Sequence, residues 1–186
     1  MPILIFRFAI SLVVVLIYRT KVRIVLYFAC RLIRGRFVTL DKGYYNQLNF
    51  FVGVSPEDND QTEEDFTTRL PDDPLAPQPS DKPKMHWNWN AGYIFFRVDG
   101  EVDTDGDGSP DGVLEYHIGT NNFRRDISLD LNRAINEDVT TLTIGLDMAQ
   151  LFAGLDLATE SISHTGDFPD RAQTFANNWT AAFSLK

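Results

Sequence analysis

Apolar and polar positions alternate along several stretches of the chain, and each such stretch predicts a strand. Between Tyr44 and Val54, residues Tyr44, Leu48, Phe50 and Val52 oppose Tyr45, Gln47, Asn49 and Phe51, the period-two pattern of a pleated strand. From Tyr93 to Gly100, Ile94, Phe96 and Val98 oppose Tyr93, Phe95 and Arg97. Ahead of that strand, Met85–Gly92 is rich in aromatics, Asn and Gly but does not alternate, which predicts an irregular lead-in. Val113–Gly119 reads as a returning strand. Ile127, Leu129 and Leu131 alternate with Ser128 and Asp130, and Leu142, Ile144 and Leu146 with Thr141, Thr143 and Gly145. These are half-buried strands of an antiparallel sheet. Asp147 reads as a helix N-cap with Gln150 at the third helical position, and Gly154 can close that short helix. A second helix begins near Asp167, Phe168 and Pro169, with Phe168, Ala172, Phe175 and Trp179 on one face. The expected fold is all-β, an antiparallel β-sandwich with one or two short helices near the C-terminus.

Composition adds an N-terminal boundary. The first forty residues hold seven Lys or Arg and no Asp or Glu, whereas 41–186 hold ten bases and 26 acids. The run Phe8–Tyr18 is far shorter than the ~20 residues a membrane span needs, and a second run, Ile24–Cys30, is cut off from it by Arg19, Lys21 and Arg23. No stable transmembrane span is expected. Residues 1–35 read as an atypical export signal, a pair of strands, or a start placed too far upstream, and 36–186 as one domain large enough for a core. The net charge of −9 argues against a nucleic-acid partner. One cysteine, Cys30, excludes an internal disulfide. Residues 55–84 read as a long loop, acidic over Glu57–Asp73, that either rims a site or is a solvated linker.

Two groups of residues carry candidate chemistry. Asp103, Asp105, Asp107, Ser109 and Asp111 follow the opening of a calcium loop, with Gly106 at the sharp turn. Leu114 stands at the twelfth position, where an EF-hand has Glu, so the expectation is a calcium-binding hairpin loop outside that class. Its rival is an acidic turn without an ion. The chain has three histidines, His86, His117 and His164, with no helical spacing that would pair them. No Ser-His-Asp, Cys-His or HExxH arrangement is present, and the chain is not expected to be an enzyme.

The stretch HWNWNAGYIFFRVDG (86–100) resembles the signature of the MbnP-like family, copper-binding proteins of the bacterial cell envelope related to methanotroph surface copper proteins. GYYNQLNFFVGV, LEYHIG, LTIGLDMAQLFAGLDL and ANNWTAAFSL match further segments in order, over roughly residues 36–186. The resemblance implies copper uptake or handling in the periplasm, at the outer-membrane surface or outside the cell. Copper would be held by His86 and His117, with His164 as third candidate, and Trp87 or Trp89 would be oxidised to kynurenine by a di-haem peroxidase-type partner. Members carry more strands ahead of the GYYNQLNF-like segment than forty residues supply, which implies an N-terminally truncated or misassigned chain. Some relatives follow the His-x-Gly motif with cysteine, where Gly119-Thr120-Asn121-Asn122-Phe123 stands here. A regular hairpin would set His117 opposite roughly Phe96 and leave an extended His86 about 33 Å away. Sharing a metal therefore requires Met85–Ala91 to fold back, or His164 to be a ligand. The alternative function is a calcium-stabilised adhesion or ligand-binding module without copper.

Overall fold

A computed structural model describes residues 42–136 and 142–186, apart from 72, 74 and 78–83, together with the strand backbone of 8–17 and 23–27. The strands are β1 (Phe8–Ile17), β2 (Arg23–Tyr27), β3 (Gly43–Val52), β4 (His86–Asn88), β5 (Gly92–Val102), β6 (Gly112–Gly119), β7 (Arg125–Ile135), β8 (Ile144–Leu146), β9 (Ile162–His164) and β10 (Phe183–Leu185). The helices are α1 (Pro56–Asn59), α2 (Glu63–Thr67), α3 (Met148–Leu151) and α4 (Pro169–Ala182). The rest of the expected N-terminal segment at 1–35, Cys30 included, lies outside the described residues.

The fold is an all-β sandwich, and β1 takes part in both of its sheets. The Phe8–Leu12 half of β1 pairs with β5, while Val13–Ile17 pairs with β2 and Val14–Leu16 with β3. β7 completes the second sheet beside β3, and β6 and then β9 extend the first beyond β5. Strands that switch sheets in this way make the corners of a sandwich. One pairing departs from the antiparallel expectation: β9 runs parallel to β6. The connection from Gly119 to Ile162 is long enough to bring the chain round in the same direction, which a short hairpin cannot do.

The core lies between β5, β6 and the apolar face of α4. Phe96 packs on Phe175 and Trp179 at 5.3 and 5.2 Å between ring centroids, and Tyr116 meets Phe175 at 4.8 Å. Phe168, expected on that face, is 40% exposed beneath the Arg171 guanidinium. β8 does not join the sheets but forms a separate ribbon with β10. Among the described residues no helix is long and apolar enough to cross a membrane.

Residues 55–84, expected as a loop, hold α1 and α2. Local capping explains both: Ser55 accepts from the Asp58 N–H with Pro56 in the first turn, and Thr62 and Asp65 form a reciprocal capping box.

Candidate metal centre

β5, β6 and β9 lie side by side, with Arg97 beside His117, Asp99 beside Glu115, and His117 beside His164. A bulge between Ile94 and Phe96 moves the register by one, so His117 faces Arg97 and not Phe96. Alternation then puts Glu115 and His117 on one face of β6. The two imidazoles stack at 5.1 Å and 27°.

A carboxylate holds the outer nitrogen of each ring. His117 Nε2 is 2.8 Å from Asp99 Oδ1, and Asp99 is itself clamped by Arg97 Nε at 2.6 Å and Nη2 at 3.0 Å. His164 Nδ1 is 3.1 Å from Asp167 Oδ2. In the neutral tautomer whose outer nitrogen donates to that carboxylate, the inner nitrogen carries the lone pair. Those inner atoms, His117 Nδ1 and His164 Nε2, each lie 3.3 Å from Glu115 Oε1. His164 Nε2 is buried and makes no hydrogen bond. His86 Nε2 is unbonded in the same way, so the fit to a metal rests on convergence: one ligand atom from each of Glu115, His117 and His164 lies within 4.8 Å of the others.

Electrostatics favour the ligating form of His117. Burial is the largest influence on His117 and lowers its pKa, an effect that the Asp99 hydrogen bond only partly offsets. A neutral imidazole is the form that binds metal. Burial raises the Asp99 pKa, but hydrogen bonds from Arg97 and His117 outweigh it and hold the carboxyl below its usual range. β9 is pinned in place by three contacts: Tyr116 Oη donates to the Glu160 carbonyl, Glu115 N–H to Ser161 O at 2.9 Å, and Gly119 N–H to Thr165 Oγ1 at 2.8 Å.

His86 lies elsewhere. Asn88 Oδ1 accepts from the backbone of Asn90 and Ala91, folding Met85–Ala91 back so that β4 pairs with β5. That hairpin sits on the flank of β5 away from β6. Two strand spacings across and four positions along put the His86 and His117 Cα atoms roughly 16 Å apart, too far for two imidazoles to meet on one ion. His86 instead stacks on Phe66 at 3.8 Å and meets the edge of Tyr93 at 4.7 Å. Burial, then Arg69, lowers its pKa to about 4. With Phe66, Met85, Trp87 and Trp89 it lines a half-open cavity of about 290 Å³. Trp89 is 45% exposed, whereas Trp87 packs against the core. The Trp87 ring covers Gly119, where any Cβ would come within 2.8 Å of it.

The acidic loop joins β5 to β6. Asp103, Asp105 and Asp107 each place a carboxylate oxygen within 4.8 Å of the others. Asp103 is buried and accepts from Gly106 N–H at 2.7 Å and Gly108 N–H at 2.8 Å. The Gly108 and Gly106 N–H groups are the main reason its pKa is lowered. Gly106 and Gly108 have φ of +79° and +92°, which side chains rarely adopt. Ser109 lends its N–H to Asp107 Oδ1, and Asp111 caps the loop base through the Thr104 N–H and hydroxyl. Asp111 and Ser109 support the turn through these bonds, beside the cluster of Asp103, Asp105 and Asp107.

The structure thus gathers His117 and His164 and adds Glu115, Asp99 and Asp167, which the sequence pattern did not single out. Glu115 carried a usable signal, two positions from His117 on one strand face. Asp99 and Asp167 carried none without the register.

Fold and cluster together define a β-sandwich protein with a candidate histidine–carboxylate metal centre at one sheet. The MbnP family model matches residues 33–166, and the chain belongs to that family. No curated protein and no solved structure matches the chain.

Proposed function

We propose that this chain binds and handles copper in the bacterial cell envelope and carries out no catalysis on its own. Membership of the MbnP family supports the metal. The observation that carries the reading is the imidazole pair of His117 and His164, each ring held through its outer nitrogen by a carboxylate. Imidazole suits copper, and copper outcompetes other divalent first-row ions for such ligands. Of the two tryptophans, Trp87 is the better candidate for oxidation to kynurenine by a di-haem peroxidase-type partner, because it covers Gly119, two residues from His117. The Asp103–Asp107 loop is assigned a structural calcium ion.

Metal analysis of the purified chain and its variants tests the reading. His117→Ala and His164→Ala should each abolish stoichiometric copper, while His86→Ala should retain it. Copper retained by the His117→Ala/His164→Ala double variant would overturn these two rings as the ligands, whereas a wild type that binds no stoichiometric copper would favour the calcium-stabilised binding module, in which the rings only pack. Copper lost from His86→Ala but kept in His164→Ala would return the centre to His86 and His117. A mass spectrum in which one Trp carbon is replaced by oxygen, absent in Trp87→Phe, would place the modification.

A further inference from the structure

We infer that Glu115 is the third donor of this centre and biases it toward divalent over monovalent copper. The inference rests on the copper reading above. Glu115 Oε1 is 3.3 Å from His117 Nδ1 and 3.3 Å from His164 Nε2. Three donors bound at about 2.0–2.1 Å around one tetrahedral ion are separated by about 3.3–3.4 Å, so both nitrogen–oxygen separations already match a shared coordination shell.

The carboxylate is also placed by the backbone. Glu115 stands two residues before His117 on the same face of β6, and its N–H is tied to Ser161 at the start of β9. The other carboxylates of the cluster are engaged: Asp99 holds Arg97 and His117, and Asp167 holds His164. Glu115 is the carboxylate that faces both inner nitrogens.

Ligand chemistry then sets the preference. Two neutral imidazoles suffice for a closed-shell monovalent ion and add no charge. A carboxylate is a harder donor and brings one negative charge, which stabilises the divalent ion more. Glu115→Gln keeps the size of the side chain, removes the charge and leaves both imidazoles in place.

The test titrates the full-length wild type and Glu115→Gln with Cu(II) in air and with Cu(I) under anaerobic conditions, each against a competing chelator. Melting curves check that both proteins fold. The expected result is Cu(II) affinity weakened on the order of 10- to 100-fold while Cu(I) affinity stays nearly unchanged. Equal loss for both ions, or no loss for either, in a wild type that binds copper overturns the Glu115 assignment and leaves the copper reading standing. A wild type that binds neither ion overturns both.

Discussion

His86 shows how burial, helped by a nearby guanidinium, can make one ring pH-sensitive. Stacked on Phe66 and near Arg69, it has a pKa of about 4, below the ordinary 6.5. The unfolded chain takes up that proton first, so the stabilising contribution of the neutral ring is complete above pH 6.5 and is lost as pH falls toward 4. The full shift would amount to at most about 3 kcal/mol, and roughly 1–2 kcal/mol once partial exposure is discounted. His86→Phe should therefore flatten the stability profile between pH 6.5 and 4, read as chemical unfolding at several pH values. Some slope will remain, because the His117 pKa is lowered in the same direction. An unchanged profile would place the acid sensitivity elsewhere. The same residue shows why the candidate site was only half legible. The resemblance points to His86 and His117 through their motifs, whereas His117 and His164 meet across 47 positions through a three-residue strand too short to carry a period.

At the scale of elements, α1 is fastened to the sheet by one buried side chain. Asn59, 6% exposed, accepts from the Tyr93 N–H at 2.9 Å and donates to Asn121 Oδ1 at 3.0 Å, joining α1 to β5 and to the turn after β6. It lies so close to Gly92, whose φ is +76°, that a Cβ there would come within 2.5 Å of its amide oxygen. Asn59→Ala should cost about 1–3 kcal/mol, because it leaves the buried Tyr93 N–H without an acceptor. Hydrogen exchange should speed up at Tyr93 and not at Val98, whose ladder does not depend on α1. Alternation made β3, β5, β6 and β7 legible because each buries one face more than the other. It failed where the chain leaves a regular pleat: at Asn132, with φ of +42° in β7, and in the capped helices α1 and α2, which signal through single polar residues.

For the molecule as a whole, the acidic loop is already folded by its own hydrogen bonds, so calcium should add stability without being required for folding. A site with a dissociation constant of about 1 mM would contribute about 1.4 kcal/mol at 10 mM calcium. For a chain of this size that raises the melting temperature by about 3–5 °C. Scans in calcium and in EDTA measure the difference, and Asp105→Asn should reduce it; superimposable curves would mean that the loop takes no ion. β1 has a wider role, since β3 and β5 both find a partner in it and the two sheets meet there. Its apolar run was legible as a hydrophobic segment, but the partners of that segment depend on pairing across the whole chain.

The parallel strand β9 has a consequence for the order of assembly. His117 and His164 are brought together only when the chain has passed through β7, β8 and α3 and returned. In an unfolded chain, closing a loop of that length costs roughly 4 kcal/mol of entropy, so unfolded molecules compete poorly for an ion that needs both rings. A chain emerging N-terminus first holds only His117 of this pair until nearly all of it is through, and His164 arrives just ahead of α4. An ion bound by both rings would thus distinguish a finished molecule from an unfinished one, and loading would follow folding.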